Sequence, residues 1–120
     1  MGKKLYTINL DIEKNILFVK TSGVFKEEDA KVYISEFQTT VNTINPSKYK
    51  FIIDTSEQEA VETHVIDDIR FVLNQYSSAH FKEIVVINPI CPISKRQIAD
   101  CVNELNFKGE FVDSLKEAFK

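Results

Sequence analysis

The chain predicts one α/β domain with a mixed, mostly parallel sheet of about five strands and about four helices. Three observations carry this. Short β-rich runs alternate with segments whose apolar residues recur every three or four positions, the pattern of a parallel sheet with helical crossovers of one hand. Two β-rich runs separated only by Glu13-Lys14-Asn15 precede that alternation, which is the spacing of an antiparallel hairpin. The 120 residues are 43% hydrophobic with nine Phe, enough to bury one core without help from a metal or a disulfide. Residues 1–120 form a single domain on this reading, with no internal repeat.

From Leu5 to Ile12, apolar Tyr6, Ile8, Leu10 and Ile12 alternate with Thr7, Asn9 and Asp11, giving a strand with one wetter face. After the polar break, Ile16 to Thr21 completes the hairpin, and Gly23 ends it. Glu27, Glu28 and Asp29 then put negative charge where a helix start carries the positive end of its dipole, so a helix begins near Lys26. Its stripe of Ala30, Tyr33, Ile34, Phe37, Val41 and Ile44 runs until Asn45-Pro46 stops it. Tyr49 to Ile53 is a short apolar run ending in Asp54, a strand buried on both faces. A polar, acidic loop follows from Thr55 to Glu62, containing Ser56, Glu57, Gln58 and Glu59.

The second helix carries the stripe Val65, Ile66, Ile69, Val72, Leu73 and Tyr76, with Thr63 as its N-cap. His80 falls in the loop before a strand from Ile84 to Ile87. A third helix spans Ile93 to Leu105, Phe111 and Val112 form the last strand, and Ser114 with Glu117 has the capping-box spacing of a closing helix.

Composition excludes several roles. The net charge of −3 offers no clustered basic surface for phosphate backbones or anionic lipid, so nucleic acid is not an expected partner. With three Gly, three Pro and 28% charged residues, the chain is expected to be ordered nearly throughout. Cys91 and Cys101 lack the short spacing of a zinc site, and Cys101 lies on an apolar helical stripe, so both are expected as reduced thiols. Met1-Gly2-Lys3-Lys4 precedes no continuous apolar segment, and no stretch reaches membrane-spanning length; a cytoplasmic location is the expectation. Myristoylation at Gly2 is rejected because Tyr6 stands where Ser or Thr is required.

Several stretches resemble one family. Gly23-Val24-Phe25 before an acidic helix start, Phe51-Ile52-Ile53-Asp54, Val85-Val86-Ile87-Asn88-Pro89, and Phe111 through Asp113-Ser114-Leu115-Lys116-Glu117-Ala118-Phe119 are similar to successive segments of STAS domains, the bacterial anti-sigma-factor antagonists. That resemblance implies a SpoIIAA-like fold and a non-enzymatic regulatory role, binding a protein partner such as an anti-sigma factor or kinase-like regulator. The family's switch is a phosphorylated Ser after Asp at the start of the helix following the third strand. By resemblance, that place is Glu62-Thr63-His64, although Val65, Ile66 and Asp67 stand where the family has a Gly-containing turn. The polar loop and the region of Gln97 also resemble SpoIIAA-like proteins related to lipid-binding CRAL-TRIO domains, which have no phosphosite. A phosphate on Thr63 would lie near free helix amides and add negative charge to a partner-facing surface. A plain N-cap role for Thr63 is the alternative.

The partner-binding surface expected from the sequence therefore runs from Asp54 and Ser56 to Glu62, Thr63 and His64. His64 with Asp67 or Asp68 has the spacing of a surface hydrogen bond rather than a catalytic dyad. Asp54, Glu57, Glu59 and Glu62 lack the ligand pattern of a calcium loop and are taken as solvated. Lys95 and Arg96, in the first turn of the third helix, are candidates for contact with an anion or an acidic partner, because basic residues there oppose the helix dipole. Phe71 lies off its helix stripe and widens it into a patch for a partner or a second copy. No nucleophile, base and oxyanion site can be assembled, so no enzyme, cofactor or metal is expected. Two alternatives stay open: a carrier of an apolar or lipid-like ligand, which requires a cavity of roughly 300 Å³ or more, and a homo-oligomeric structural subunit, a homodimer included.

Overall fold

A computed structural model describes residues 5–119; Met1 to Lys4, on which the leader and myristoylation readings rest, lie outside the described residues. The elements follow in the expected order: β1 (Tyr6–Asp11), β2 (Ile16–Gly23), α1 (Glu27–Val41), β3 (Lys50–Gln58), α2 (Ile66–Ser78), β4 (Glu83–Ile87), α3 (Pro92–Leu105), β5 (Glu110–Val112) and α4 (Leu115–Ala118). Two short 3-10 turns, Pro46–Lys48 and Thr63–Val65, precede β3 and α2. The five strands form one sheet in the order β1-β2-β3-β4-β5. β1 runs antiparallel to β2, and the remaining pairs are parallel.

Strand alternation sends the two halves of the sheet's apolar residues to opposite faces. Leu17, Val19, Phe51, Ile53 and Val86 meet Tyr33 and Phe37 of α1, Leu73 and Tyr76 of α2 and Cys101 of α3 in the main core. Ile52, Val85, Ile87 and Val112 point the other way and meet Ala118 of α4. Three helices therefore cover one face, and one short helix covers part of the other. Because the strand order never reverses, the sheet has no switch point at which a crevice would open between neighbouring crossovers. The aromatic residues are concentrated in the main core, where Phe51 contacts Tyr76 at 4.7 Å and Phe81 at 4.8 Å between ring centroids.

Element ends depart from expectation in three places. α1 stops at Val41 rather than Ile44, and Thr43 and Ile44 donate to carbonyls three residues back, so the chain tightens out of the α-helix. The cause is local: Thr39, Thr40 and Thr43 turn their hydroxyls onto backbone carbonyls, a competing bond that weakens helix ends. β2 continues to Gly23, whose positive φ of +73° turns the chain out of the strand. β3 continues through Gln58, so the stretch beginning at Thr55 is strand where a loop was expected. Its polar side chains are satisfied within the sheet: Thr55 Oγ1 donates to the Ile87 carbonyl at 2.6 Å, Thr21 Oγ1 donates to Gln58 Oε1 at 2.8 Å, and Lys20 pairs with Glu57 at 2.8 Å. Both cysteines are free thiols, with Cys101 buried.

Candidate functional site

The site is built at the end of the sheet where the parallel strands finish. Lys20 is opposite Asp54 and Ser22 is opposite Glu57, so β3 carries one more residue than β2 between these pairs. That is a β-bulge, a feature that frees a ladder amide and re-aims side chains. The amide of Ser56 donates to Asp54 Oδ1 at 2.9 Å, and the carbonyl of Ser56 accepts from the amide of Ile90 at 3.1 Å. Asp54 is 2% exposed, which corrects its expected place at the start of a solvated loop. Two residues from Ile52, it faces the α4 side of the sheet, away from α1 and α2.

Beyond β3 the chain crosses toward α3 and is clamped there. Val61 N–H donates to Gln97 Oε1 at 3.0 Å, and Gln97 Nε2 donates to the Val61 carbonyl at 2.9 Å. The side-chain amide thus completes both backbone groups of one loop residue, as a neighbouring strand would. Val61 and Val65 are buried, while Glu62, Thr63 and His64 between them are exposed. Two apolar anchors and one amide clamp therefore hold a three-residue polar crest in place.

The crest differs in detail from its sequence reading. Thr63 opens a 3-10 turn instead of capping α2, and neither the cap of that turn nor the cap of α2 receives a side-chain hydrogen bond. The reason is that the three-residue turn Thr63–Val65 intervenes before α2 starts at Ile66, which moves the Thr63 hydroxyl away from the helix amides. His64 Nδ1 lies 3.5 Å from Glu62 Oε2, so its acidic neighbour is Glu62 rather than Asp67 or Asp68. Asp67 pairs instead with Arg70, which also binds Glu104 of α3 at 2.9 Å. Asp68 is partly buried; burial first, and then Glu27, raises its carboxyl above the ordinary range.

Lys95 and Arg96 are exposed one turn into α3, next to Gln97, so the clamp brings them to the edge that holds the crest. Arg96 lies 3.5 Å from Asp100 of its own helix. Asp54 and the crest, by contrast, are on opposite sides of the sheet, and the expected surface is not continuous. What the sequence reading missed is apolar: Ile90 is 80% and Ile93 is 63% exposed, at the turn from β4 into α3. Their signal was present, since Ile90 stands between Pro89 and Cys91-Pro92, outside any strand or helix pattern that would bury it. Phe71 is 47% exposed on the outer side of α2.

Between the sheet and α1, α2 and α3 is a half-open pocket of about 80 Å³ with almost wholly apolar walls. It is well short of the roughly 300 Å³ at which pockets for drug-sized ligands begin. Among the described residues, no group of three or more His, Cys, Asp and Glu side chains could hold a metal ion, and no helix is long and apolar enough to cross a membrane.

No protein-family model matches the chain, and no curated protein matches it. The chain is similar in structure to an uncharacterized protein of the DUF3478 family from Shewanella loihica PV-4, described as having a SpoIIAA-like fold. The two share 19% identity with a TM-score of 0.66, over 99% of this chain and 96% of the other. The fold of this protein is SpoIIAA-like.

Proposed function

We propose that this SpoIIAA-like domain works as a regulatory module that binds a protein partner through the Glu62–His64 crest and the adjoining Ile90 and Ile93. The observation that supports it is the pairing of a fixed polar crest with two isoleucines that the fold leaves in water. Ile93 is one helical turn before Gln97, the residue that clamps the crest, so apolar and polar elements are on neighbouring ground. An apolar centre with a polar rim is the anatomy of a protein interface. Lys95 and Arg96 add two cations on one flank, and Glu59 and Glu62 add carboxylates on the other, which sets the orientation of a partner more than its affinity.

Phosphate on Thr63 is the regulatory step in this reading. Its hydroxyl is exposed, and the surroundings already hold Glu62, Asp67 and Asp68. Roughly two further negative charges there would act by repelling an acidic partner surface rather than by joining an N-cap. A lipid-like cargo is not favoured, because the apolar pocket between the sheet and the helices holds only about 80 Å³.

The test is affinity capture from the source organism with four baits: wild type, Ile90→Asp/Ile93→Asp, Thr63→Glu, and Phe119→Asp on the opposite side of the sheet. A partner held by wild type and Phe119→Asp but lost from the other two supports the proposal. Equal capture by Ile90→Asp/Ile93→Asp and wild type sinks it.

A further inference from the structure

The last turns of α1 and α2 stand side by side. Gln38 Nε2 in the one donates to Gln75 Oε1 in the other at 2.9 Å. A half-open groove of about 180 Å³ lies where they meet, lined by apolar Phe37, Val41 and Ala79 and by polar Gln38, Asn42 and Gln75, among others. A cavity of about 150 Å³ is enough to hold benzene, so the groove admits a small planar group with a short stem.

A helix leaves its last four carbonyls without helical partners and carries the negative end of its dipole there. Some of these carbonyls are taken up as the chain turns away: Gln38 by the Asn42 amide, Thr40 by Thr43, Val41 by Ile44, Gln75 by Ala79 and Ser77 by His80. Among the described residues, the carbonyls of Thr39, Tyr76 and Ser78 accept from no backbone amide. Neither helix has a basic residue in its last turn, and no residue lining the groove is charged. Lys48, His80 and Lys82 belong to the connections beyond the two helix ends and do not line it. Two dipole ends of one sign are thus adjacent without a cation between them, in a chain whose net charge is −3.

The surroundings select among cations. A divalent metal needs carboxylates, and the lining has none. An ammonium is compact and strongly hydrated, and would lose that water against Phe37 and Val41. A guanidinium is flat and weakly hydrated, and its five N–H donors suit free carbonyl and side-chain amide oxygens around an apolar wall.

We infer that the groove between the last turns of α1 and α2 is a binding site for a guanidinium group on a short alkyl stem, carried by a free alkylguanidine or by an arginine side chain. It is at the opposite end of α2 from the crest and does not rest on the crest's role.

Titration of the 15N-labelled chain at fixed ionic strength with N-ethylguanidinium and with its neutral isostere N-ethylurea tests it. The cation is expected to shift the amides of Val41, Asn42, Ser78 and Ala79 and to bind about tenfold tighter than the urea, because two helix ends act on one charge. The tripeptide acetyl-Gly-Arg-Gly-amide identifies the source. Shifts of the same amides at equal or higher affinity assign the site to an arginine of a polypeptide, and shifts with ethylguanidinium alone assign it to a free alkylguanidine. Gln38→Lys, which puts a resident cation in the last turn of α1, is expected to abolish the response to ethylguanidinium and to raise the thermal midpoint. Gln38→Met leaves both helix ends uncompensated and keeps the preference for the cation. Equal affinity of the wild-type chain for the two probes overturns the inference. So does an absence of shifts at these amides up to the ethylguanidinium concentration at which the chain unfolds, or undiminished binding by Gln38→Lys.

Discussion

Gln97 shows how much one side chain can fix. It supplies both hydrogen-bond partners of Val61, a buried backbone unit outside any strand. Gln97→Ala would leave a buried N–H and C=O unpaired, and a loss of about 1–3 kcal/mol is expected in urea denaturation, with faster hydrogen exchange at the Val61 amide. Thr63 should behave in the opposite way. Its hydroxyl caps nothing, so Thr63→Ala is expected to change stability by less than about 0.5 kcal/mol. Ser114→Ala, which removes the acceptor of the Glu117 amide at 3.2 Å, should cost about 0.5–2 kcal/mol. Asp68 gives a pH test. Because its native carboxyl holds the proton more tightly than the unfolded chain does, its charge costs stability once pH climbs through the ordinary carboxylate range and costs nothing below it. Asp68→Asn should therefore raise Tm at neutral pH and leave it unchanged at about pH 3; an equal gain at both would sink the assignment. At this scale the sequence was a fair guide to type and a poor one to partner. That Ser114 and Glu117 form a cap was legible from spacing alone. That Gln97 reaches Val61, 36 residues away, was not, since no local pattern encodes a tertiary amide bond.

Elements were legible wherever one period ran uninterrupted. The 3.6-residue stripes of α2 and α3 and the apolar run of β3 all appear, and the alternation of types gave the parallel order. The errors cluster where polarity was taken for exposure. β3 keeps pairing from Thr55 to Gln58 because β2 offers Thr21 and Lys20 as side-chain partners, a fact of the neighbouring strand and not of the segment itself. The bulge opposite Thr21 was equally hidden, because it is a mismatch of two registers. The connection from α3 to β5 carries its own test. A Cβ on Gly109 would lie 2.5 Å from Phe107 Cε2 and 3.4 Å from Ile84 Cγ2, and Phe107 is itself buried. Gly109→Ala is expected to cost about 1–3 kcal/mol through that overlap, and the loss should appear as a lower midpoint in urea with the slope unchanged. A neutral result would mean that the Phe107 ring moves aside freely.

Across the whole molecule, the sheet is dressed unequally, with three helices on one face and the single turn of α4 on the other. The large exposed apolar side chains of the described residues are spread over the hairpin turn (Ile12), the β2–α1 turn (Val24), α1 and α2 (Val32, Phe71), the β4–α3 turn (Ile90, Ile93) and α4 and its end (Leu115, Phe119). Among the described residues they lie on separate elements of the chain, and a stable dimer needs a contiguous patch. Light scattering at tens of micromolar is therefore expected to give the mass of one chain; twice that mass would move the assignment to the homodimer. The same sheet has a consequence for how the protein is made. Each strand lies beside the one synthesised just before it, so every pairing closes one hairpin turn or one helical crossover and none waits on a later segment. A growing polypeptide can lay this sheet down from β1 toward β5 as it leaves the ribosome, never holding open a slot for a strand not yet translated.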